Sequence, residues 1–174
     1  QMRNTTMGTH SHMAYVMIQI YKHFAFRNDI AGMEIFVNEI FDEILPTERA
    51  QHNYLVLGKP PESMSFVLND YKTARKYGEK VFEVEDDGLK TILRKWIDYK
   101  VGGDWTQIED RVIYLFDWAT GTPLTRNDIS HAFSDTFMKY TGFPVSTTLL
   151  RKIYSKTIID PNSASDDEIN DVIK

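Results

Sequence analysis

The sequence predicts an α+β fold, mainly α-helical with a small antiparallel sheet. Apolar residues recur at helical spacing over several long stretches, whereas short β-rich runs are confined to the centre of the chain. Glycine and proline separate those runs. With 174 residues and 42% hydrophobic residues, the chain can bury one core. We therefore expect a single domain over residues 14–174.

The N-terminal region divides into a leader and a helix. Residues 1–13 end in His-Ser-His-Met, which has the look of a cloning scar, so we assign them to an expression tag or leader outside the fold. Residues 14–25 are apolar nearly all round, a pattern typical of a helix buried on several sides. An acidic amphipathic stretch, Ile30–Ile44, predicts a second helix that ends before Pro46, with some of its length open to a strand assignment.

Three short apolar runs predict the sheet, which we expect to be mainly antiparallel with about three strands. They are Tyr54–Leu57, Ser65–Asp70 and Lys80–Val84. The last two predict a hairpin, and Lys72 stands at the edge of its connection.

The second half of the chain predicts further helices, each with a capping residue at its start. Gly102-Gly103 is expected to end the first of them, and Val112–Phe116 predicts a short strand or a buried extended segment. The predicted caps are Asp86 or Asp87, Thr125 or Asn127, Ser146 and Ser165.

Composition narrows the classes of function. The absence of cysteine excludes disulfides and thiolate metal sites, and His23, His52 and His131 lack ligand spacing, so we expect neither a metal nor a cofactor. We also expect no membrane partner, because no apolar run approaches the length of a membrane span. The net charge of −5 argues mildly against a nucleic-acid partner.

The distribution of charge along the chain favours a nucleic-acid partner more than the net charge does. Residues 139–156 carry four basic side chains and no acid, and residues 71–80 carry four against Glu79. Such windows are also found on ordinary solvated faces.

One set of basic residues suits phosphoryl transfer. Arg27 and Arg151 present donor forks that match phosphodiester oxygens and can neutralise a pentacoordinate transition state. Lys72 is a compact, titratable cation suited to protonating a departing alkoxide. A site of this composition needs no metal ion.

The local context of these residues resembles the catalytic domain of tyrosine recombinases and integrases, particularly the divergent ones of eukaryotic DNA viruses and mobile elements. In that family an apolar helix leads to the first catalytic arginine, as the segment before Phe24–Arg27 does here. A hairpin then carries the catalytic lysine, matched by Lys72. A C-terminal helix carries the second arginine, matched in Thr148–Arg151, with Thr148 where the family usually has His or Lys.

The resemblance implies DNA breakage and rejoining, in site-specific recombination or integration, through a 3′-phosphotyrosyl intermediate. Arg27, Lys72 and Arg151 are then catalytic. Double-stranded DNA is the partner, with self-association on it, in an intracellular setting such as the nucleus or a viral replication site. The family's nucleophilic tyrosine falls after Lys174, so a truncated domain that does not cleave is expected. The DNA phosphates are expected to contact Thr148, Lys152, Arg75 and Lys76.

A second class of function stays open at this point. The chain can instead be a non-catalytic protein, either a DNA-binding descendant that has lost the chemistry or an unrelated helical protein-interaction module.

Overall fold

A computed structural model describes the backbone of residues 3–58 and 63–158 and confirms an α+β fold. The described residues separate into two compact units, one formed by residues 3–28 with 127–158 and one by the described part of residues 29–126. We call them unit 1 and unit 2.

The helices and strands of the described ranges follow one another in this order: α1 (Arg3–His23), β1 (Glu34–Val37), α2 (Asn38–Glu43), α3 (Pro46–Arg49), β2 (Tyr54–Leu57), β3 (Met64–Leu68), α4 (Ala74–Tyr77), β4 (Lys80–Glu83), α5 (Asp87–Val101), α6 (Gln107–Asp110), β5 (Ile113–Tyr114), α7 (Arg126–Thr141) and α8 (Thr147–Ile158).

Unit 1 is built from α1, α7 and α8. Its core includes Val16 and Ile20 of α1 with Ile129 of α7. The rings of Tyr21 and Phe133 meet edge to face with centroids 4.6 Å apart. This packing follows the apolar periodicity of the three segments, because helices bury their apolar faces against one another.

Helix α1 extends further back than the sequence predicts. It begins at Arg3 rather than at residue 14, and Met13 is buried in the core. The assignment of residues 1–13 to a tag or leader stays a prediction, but the helical backbone of residues 3–13 is continuous with the rest of α1.

Unit 2 is organised around a five-stranded sheet with the order β4-β3-β2-β1-β5. The predicted hairpin is confirmed, since β3 and β4 pair antiparallel with Phe66 opposite Phe82. Three of the four strand pairings are antiparallel, but β1 and β2 run parallel, so the sheet is mixed rather than purely antiparallel. The predicted count of about three strands is wrong, because β1 and β5 extend the sheet to five strands. Parallel neighbours require a crossover, which α2 and α3 provide.

The stretch Ile30–Ile44, predicted as a helix with part of its length open to a strand assignment, contains both. Residues Glu34–Val37 form β1, and only Asn38–Glu43 are helical. β1 lies between β2 and β5, so both edges of its backbone form ladder hydrogen bonds. Phe41 of α2 packs with Tyr54, Val56 and Val67 in a buried cluster on the sheet.

Helix α5 agrees with the sequence prediction at both ends. The Asp86 side chain accepts a hydrogen bond from the backbone N–H of Leu89 at 2.7 Å, and Gly102 ends the helix with a φ of 61°. Its buried face carries Trp96, whose indole N–H donates to the Leu115 carbonyl at 2.8 Å. The helix predicted to start at Ser165 lies outside the described residues.

Candidate functional site

Arg151 is held by the interior of unit 1. Ser146 caps α8, since its hydroxyl accepts a hydrogen bond from the backbone N–H of Leu149 at 3.1 Å. One turn further along, the Arg151 side chain is only 6% exposed, and its Nε donates to the carbonyl of Ala25 at 3.1 Å. The apolar periodicity of α8 predicts Arg151 at the margin between the buried face and solvent, but the structure buries it. It is buried because its side chain points to the segment that follows α1.

That segment carries Arg27, which is half-buried. The Tyr21 hydroxyl donates to the Arg27 carbonyl, and the rings of Phe24 and Phe26 stack with centroids 5.0 Å apart. The Tyr154 hydroxyl of α8 donates to the His23 carbonyl at 2.9 Å. The backbone leading to Arg27 is therefore held by side chains of both α1 and α8.

The structure thus brings the Arg151 side chain to within two residues of Arg27 in the chain, although Arg151 and Ala25 are 126 positions apart in sequence. Thr148 and Lys152, on the same helix as Arg151, are exposed. Their exposure suits contact with a ligand from solution.

Lys72 lies in unit 2, exposed on the connection from β3 to β4. This connection is hydrogen-bonded internally. The Tyr71 hydroxyl donates to the Gly78 carbonyl at 2.7 Å, and the backbone N–H of Gly78 donates to Ala74 at 2.8 Å. We call residues 71–78 the lysine loop.

The lysine loop also carries Arg75 and Lys76, both exposed on α4. The Lys76 ammonium lies 4.6 Å from the ring centroid of Tyr77, within the range of a cation–π contact. Lys80 lies at similar distances from the rings of Tyr71 and Tyr77. The lysine loop and the first residue of β4 therefore present cations interleaved with tyrosine rings, a composition that suits a phosphate backbone.

Sequence reasoning missed two residues that hold the base of the lysine loop. The buried amide of Asn53 bonds the backbone of Asn69 and Asp70, and the Arg126 guanidinium bonds the carbonyl and carboxylate of Asp70. The only sequence signal was a polar residue directly before the buried strand β2.

The electrostatics of the unit 2 sheet are set by burial. Burial raises the pKa of the Glu34 carboxyl, and the His52 imidazole, whose Nδ1 is 3.7 Å from Oε1 of Glu34, opposes that rise. Burial, followed by the charge of Glu34, raises the pKa of Tyr54 to about 12.

Unit 1 also contains an apolar cavity of about 270 Å³. Six of the side chains around it are Ile18, Tyr21, Phe137, Leu150, Ile153 and Tyr154. Nearby in sequence, Tyr140 is 68% and Phe143 74% exposed. The side chains around the cavity are apolar apart from Lys22.

Among residues 3–58 and 63–158, no helix combines the length and the apolar character that crossing a membrane requires. The part of the chain that the structure describes also contains no group of three His, Asp or Glu side chains placed to hold a metal ion.

Comparison with known proteins did not identify a homologue. No family model, curated protein or solved structure matches the chain. Its function must be inferred from the residues and their geometry.

Proposed function

We propose that the chain carries the phosphate-binding part of a tyrosine-recombinase catalytic domain, which breaks and rejoins DNA through a nucleophilic tyrosine that residues 1–174 do not supply. The observation that carries the proposal is the hydrogen bond from Arg151 Nε to the Ala25 carbonyl. Two arginines of a phosphodiester site must stand close together, and this bond brings the second arginine to the segment of the first. The local motifs around Arg27, Lys72 and Arg151 support the same assignment.

In the proposed reaction, a tyrosine oxygen attacks the scissile phosphorus while its proton passes to solvent. The bond from phosphorus to the 5′ oxygen breaks, and Lys72 gives that oxygen a proton. Arg27 and Arg151 bind the non-bridging oxygens and stabilise their growing charge. Rejoining reverses each step, so the 5′ hydroxyl returns its proton to Lys72 and the tyrosine is released.

The remaining site residues have binding roles in this proposal. The Thr148 hydroxyl donates one hydrogen bond to phosphate but is neither acid nor base near neutral pH. Lys152, Arg75 and Lys76 contact phosphates along the duplex, which adds affinity without reading the sequence of bases. In the family's pattern the nucleophilic tyrosine lies on the C-terminal side of the second arginine, which Arg151 matches here.

A binding experiment tests the arginine pair. Fluorescence anisotropy with a short labelled duplex gives Kd as a function of salt, and affinity should fall steeply as salt rises. Arg27→Ala should weaken binding roughly 3- to 10-fold at low salt and make the salt slope shallower by about 0.9, the loss of one phosphate contact. Lys95→Ala, an exposed lysine of α5 in unit 2, is the matched control and should change neither. If Arg27→Ala and Lys95→Ala changed Kd and the salt slope equally, the loss of affinity would reflect only the loss of one positive charge.

A covalent trap tests the chemistry. If the natural protein continues past Lys174, that longer form should give, with a nicked suicide duplex, a protein–DNA adduct that Arg27→Ala and Arg151→Lys diminish. Residues 1–174 alone should give none. An adduct from this shorter chain would point instead to one of its own tyrosines, Tyr154 first.

The second candidate, a helical protein-interaction module, is favoured by the apolar cavity and by the exposed rings of Tyr140 and Phe143. Large exposed apolar surfaces mark sites of association. Phe143→Ser should then lower the apparent mass in analytical ultracentrifugation without changing DNA affinity. A monomer at every concentration would argue against self-association through this surface.

A further inference from the structure

The Asn53 side chain uses all of its hydrogen-bonding capacity on backbone groups. An asparagine amide offers two N–H donors and an oxygen with two lone pairs. Nδ2 donates to the carbonyls of Asp29 at 2.8 Å and Asp70 at 2.9 Å, and Oδ1 accepts from the N–H groups of Asn69 and Asp70 at 2.8 Å each. Asn53 is only 4% exposed. These four bonds join the point where the chain leaves β3 to the segment before β1.

Arg126 holds the same point from the surface. Its Nη2 donates to the Asp70 carbonyl at 3.1 Å and to the Asp70 carboxylate at 3.0 Å, while its side chain is 52% exposed. The backbone N–H and carbonyl of Asp70 are therefore both occupied, the carbonyl twice. We call Asn53 and Arg126 the Asp70 clamp.

The clamp acts two residues before Lys72. The Lys72 side chain is exposed, so its direction depends on the backbone that carries it. Beyond the clamp, the bond between Tyr71 and Gly78 closes the lysine loop on itself. Because the backbone is fixed at Asp70 and the loop is closed, the main remaining conformational freedom of Lys72 is that of its side-chain rotamers. A group that is already in position loses less conformational entropy on binding.

We propose that Asn53 and Arg126 are positioning residues that set the place of the Lys72 ammonium at the DNA phosphate. This inference rests on the proposed function, since it takes Lys72 as the cation that meets the 5′ oxygen of the scissile phosphate and so contributes to DNA affinity. Neither residue needs to touch DNA, because both act on the backbone of Asp70. Their effect on DNA must therefore pass through Lys72.

A double-mutant cycle on the full chain tests that route. Kd for a short labelled duplex is measured against salt for Asn53→Ala, Lys72→Ala and the double variant, and for Arg126→Lys in both backgrounds. Arg126→Lys keeps the charge but exchanges a rigid fork for a flexible point donor. In the parent chain, each clamp variant should weaken binding roughly 3- to 10-fold, a coupling of the usual size for residues in one network. In the Lys72→Ala background, each should change Kd by less than about 2-fold.

The outcomes separate the two proposals. If Lys72→Ala changes neither affinity nor salt slope relative to Lys95→Ala, the proposed role of Lys72 is overturned and this inference with it. If Lys72→Ala weakens binding but the clamp variants weaken it equally in both backgrounds, only the positioning role is overturned. Should Asn53→Ala fail to fold, Arg126→Lys carries the test alone, because its side chain lies at the surface.

Discussion

The two units hold their proposed catalytic cations in opposite ways. In unit 1 the Arg151 side chain is buried and bonded to the Ala25 carbonyl. In unit 2 the Lys72 side chain is exposed, and it is the backbone before it that is fixed. A buried arginine serves stability as well as chemistry, whereas an exposed lysine on a fixed base can be changed with little cost to the fold.

The largest effect that we expect is a difference in stability between substitutions at Arg151 and at Lys72. Arg151→Ala removes a hydrogen-bonded, buried cation and should lower the free energy of unfolding by about 2–3 kcal/mol. Lys72→Ala should stay within about 0.5 kcal/mol, as most surface substitutions do. Urea denaturation measures both. Equal losses would mean that the exposure of these two side chains does not set their structural roles.

The dependence of stability on alkaline pH should be linked to unit 2, which contains Tyr54. Because burial raises the pKa of Tyr54 to about 12, the unfolded chain loses this phenolic proton first as the pH rises above 10.0. The stability linked to Tyr54 is therefore present below pH 10 and lost towards pH 12, on the order of 2 kcal/mol. Tyr54→Phe should abolish this alkaline loss in urea denaturation. Tyr140→Phe, an exposed tyrosine of unit 1, is the control and should retain it.

Helix caps give a smaller and nearly equal effect in the two units. Asp86→Ala in unit 2 and Ser146→Ala in unit 1 should each lower stability by about 1 kcal/mol, because each leaves a backbone N–H without its cap. Only Ser146→Ala should also weaken DNA binding, since α8 carries Arg151. Anisotropy titrations of the two variants measure their affinity for DNA. An equal loss of affinity in both would show that DNA binding does not depend on α8 more than on α5.

The smallest expected effect concerns the ion pair between Arg126 and Asp70. Its partners are 52% and 61% exposed, so Asp70→Asn should change the free energy of unfolding by only about 0.2–1 kcal/mol. Added salt should shrink the difference further. Urea denaturation at two salt concentrations tests this, and a loss above about 2 kcal/mol would show that the surface half of the clamp is structural.

Local signals in the sequence predicted the elements that depend on local chemistry. The cap at Asp86, the glycine end at Gly102, the cap at Ser146 and the β3–β4 hairpin are all confirmed. Each depends on residues a few positions apart. The identity of the site residues stays a prediction, because spacing alone does not establish a phosphate site.

The features that sequence reasoning missed depend on distant partners. The stretch that contains β1 was left open between helix and strand, because the pairing of β1 with β2 and β5 that decides it cannot be read from periodicity. Helical periodicity also gives the face on which Arg151 lies but not how deeply it is buried. Asn53 was missed because all four of its partners are backbone groups, which have no sequence signature.

The ends of unit 2 meet. The backbone N–H of Gly32 donates to the Leu124 carbonyl at 3.1 Å, close to where the unit begins at Asp29 and ends at Arg126. A compact segment whose two ends lie close together can be inserted into a loop of a host protein, both in evolution and in protein engineering. Residues 29–126 should therefore transplant as a cassette, joined to a host loop at both ends, with the lysine loop and its clamp carried along intact.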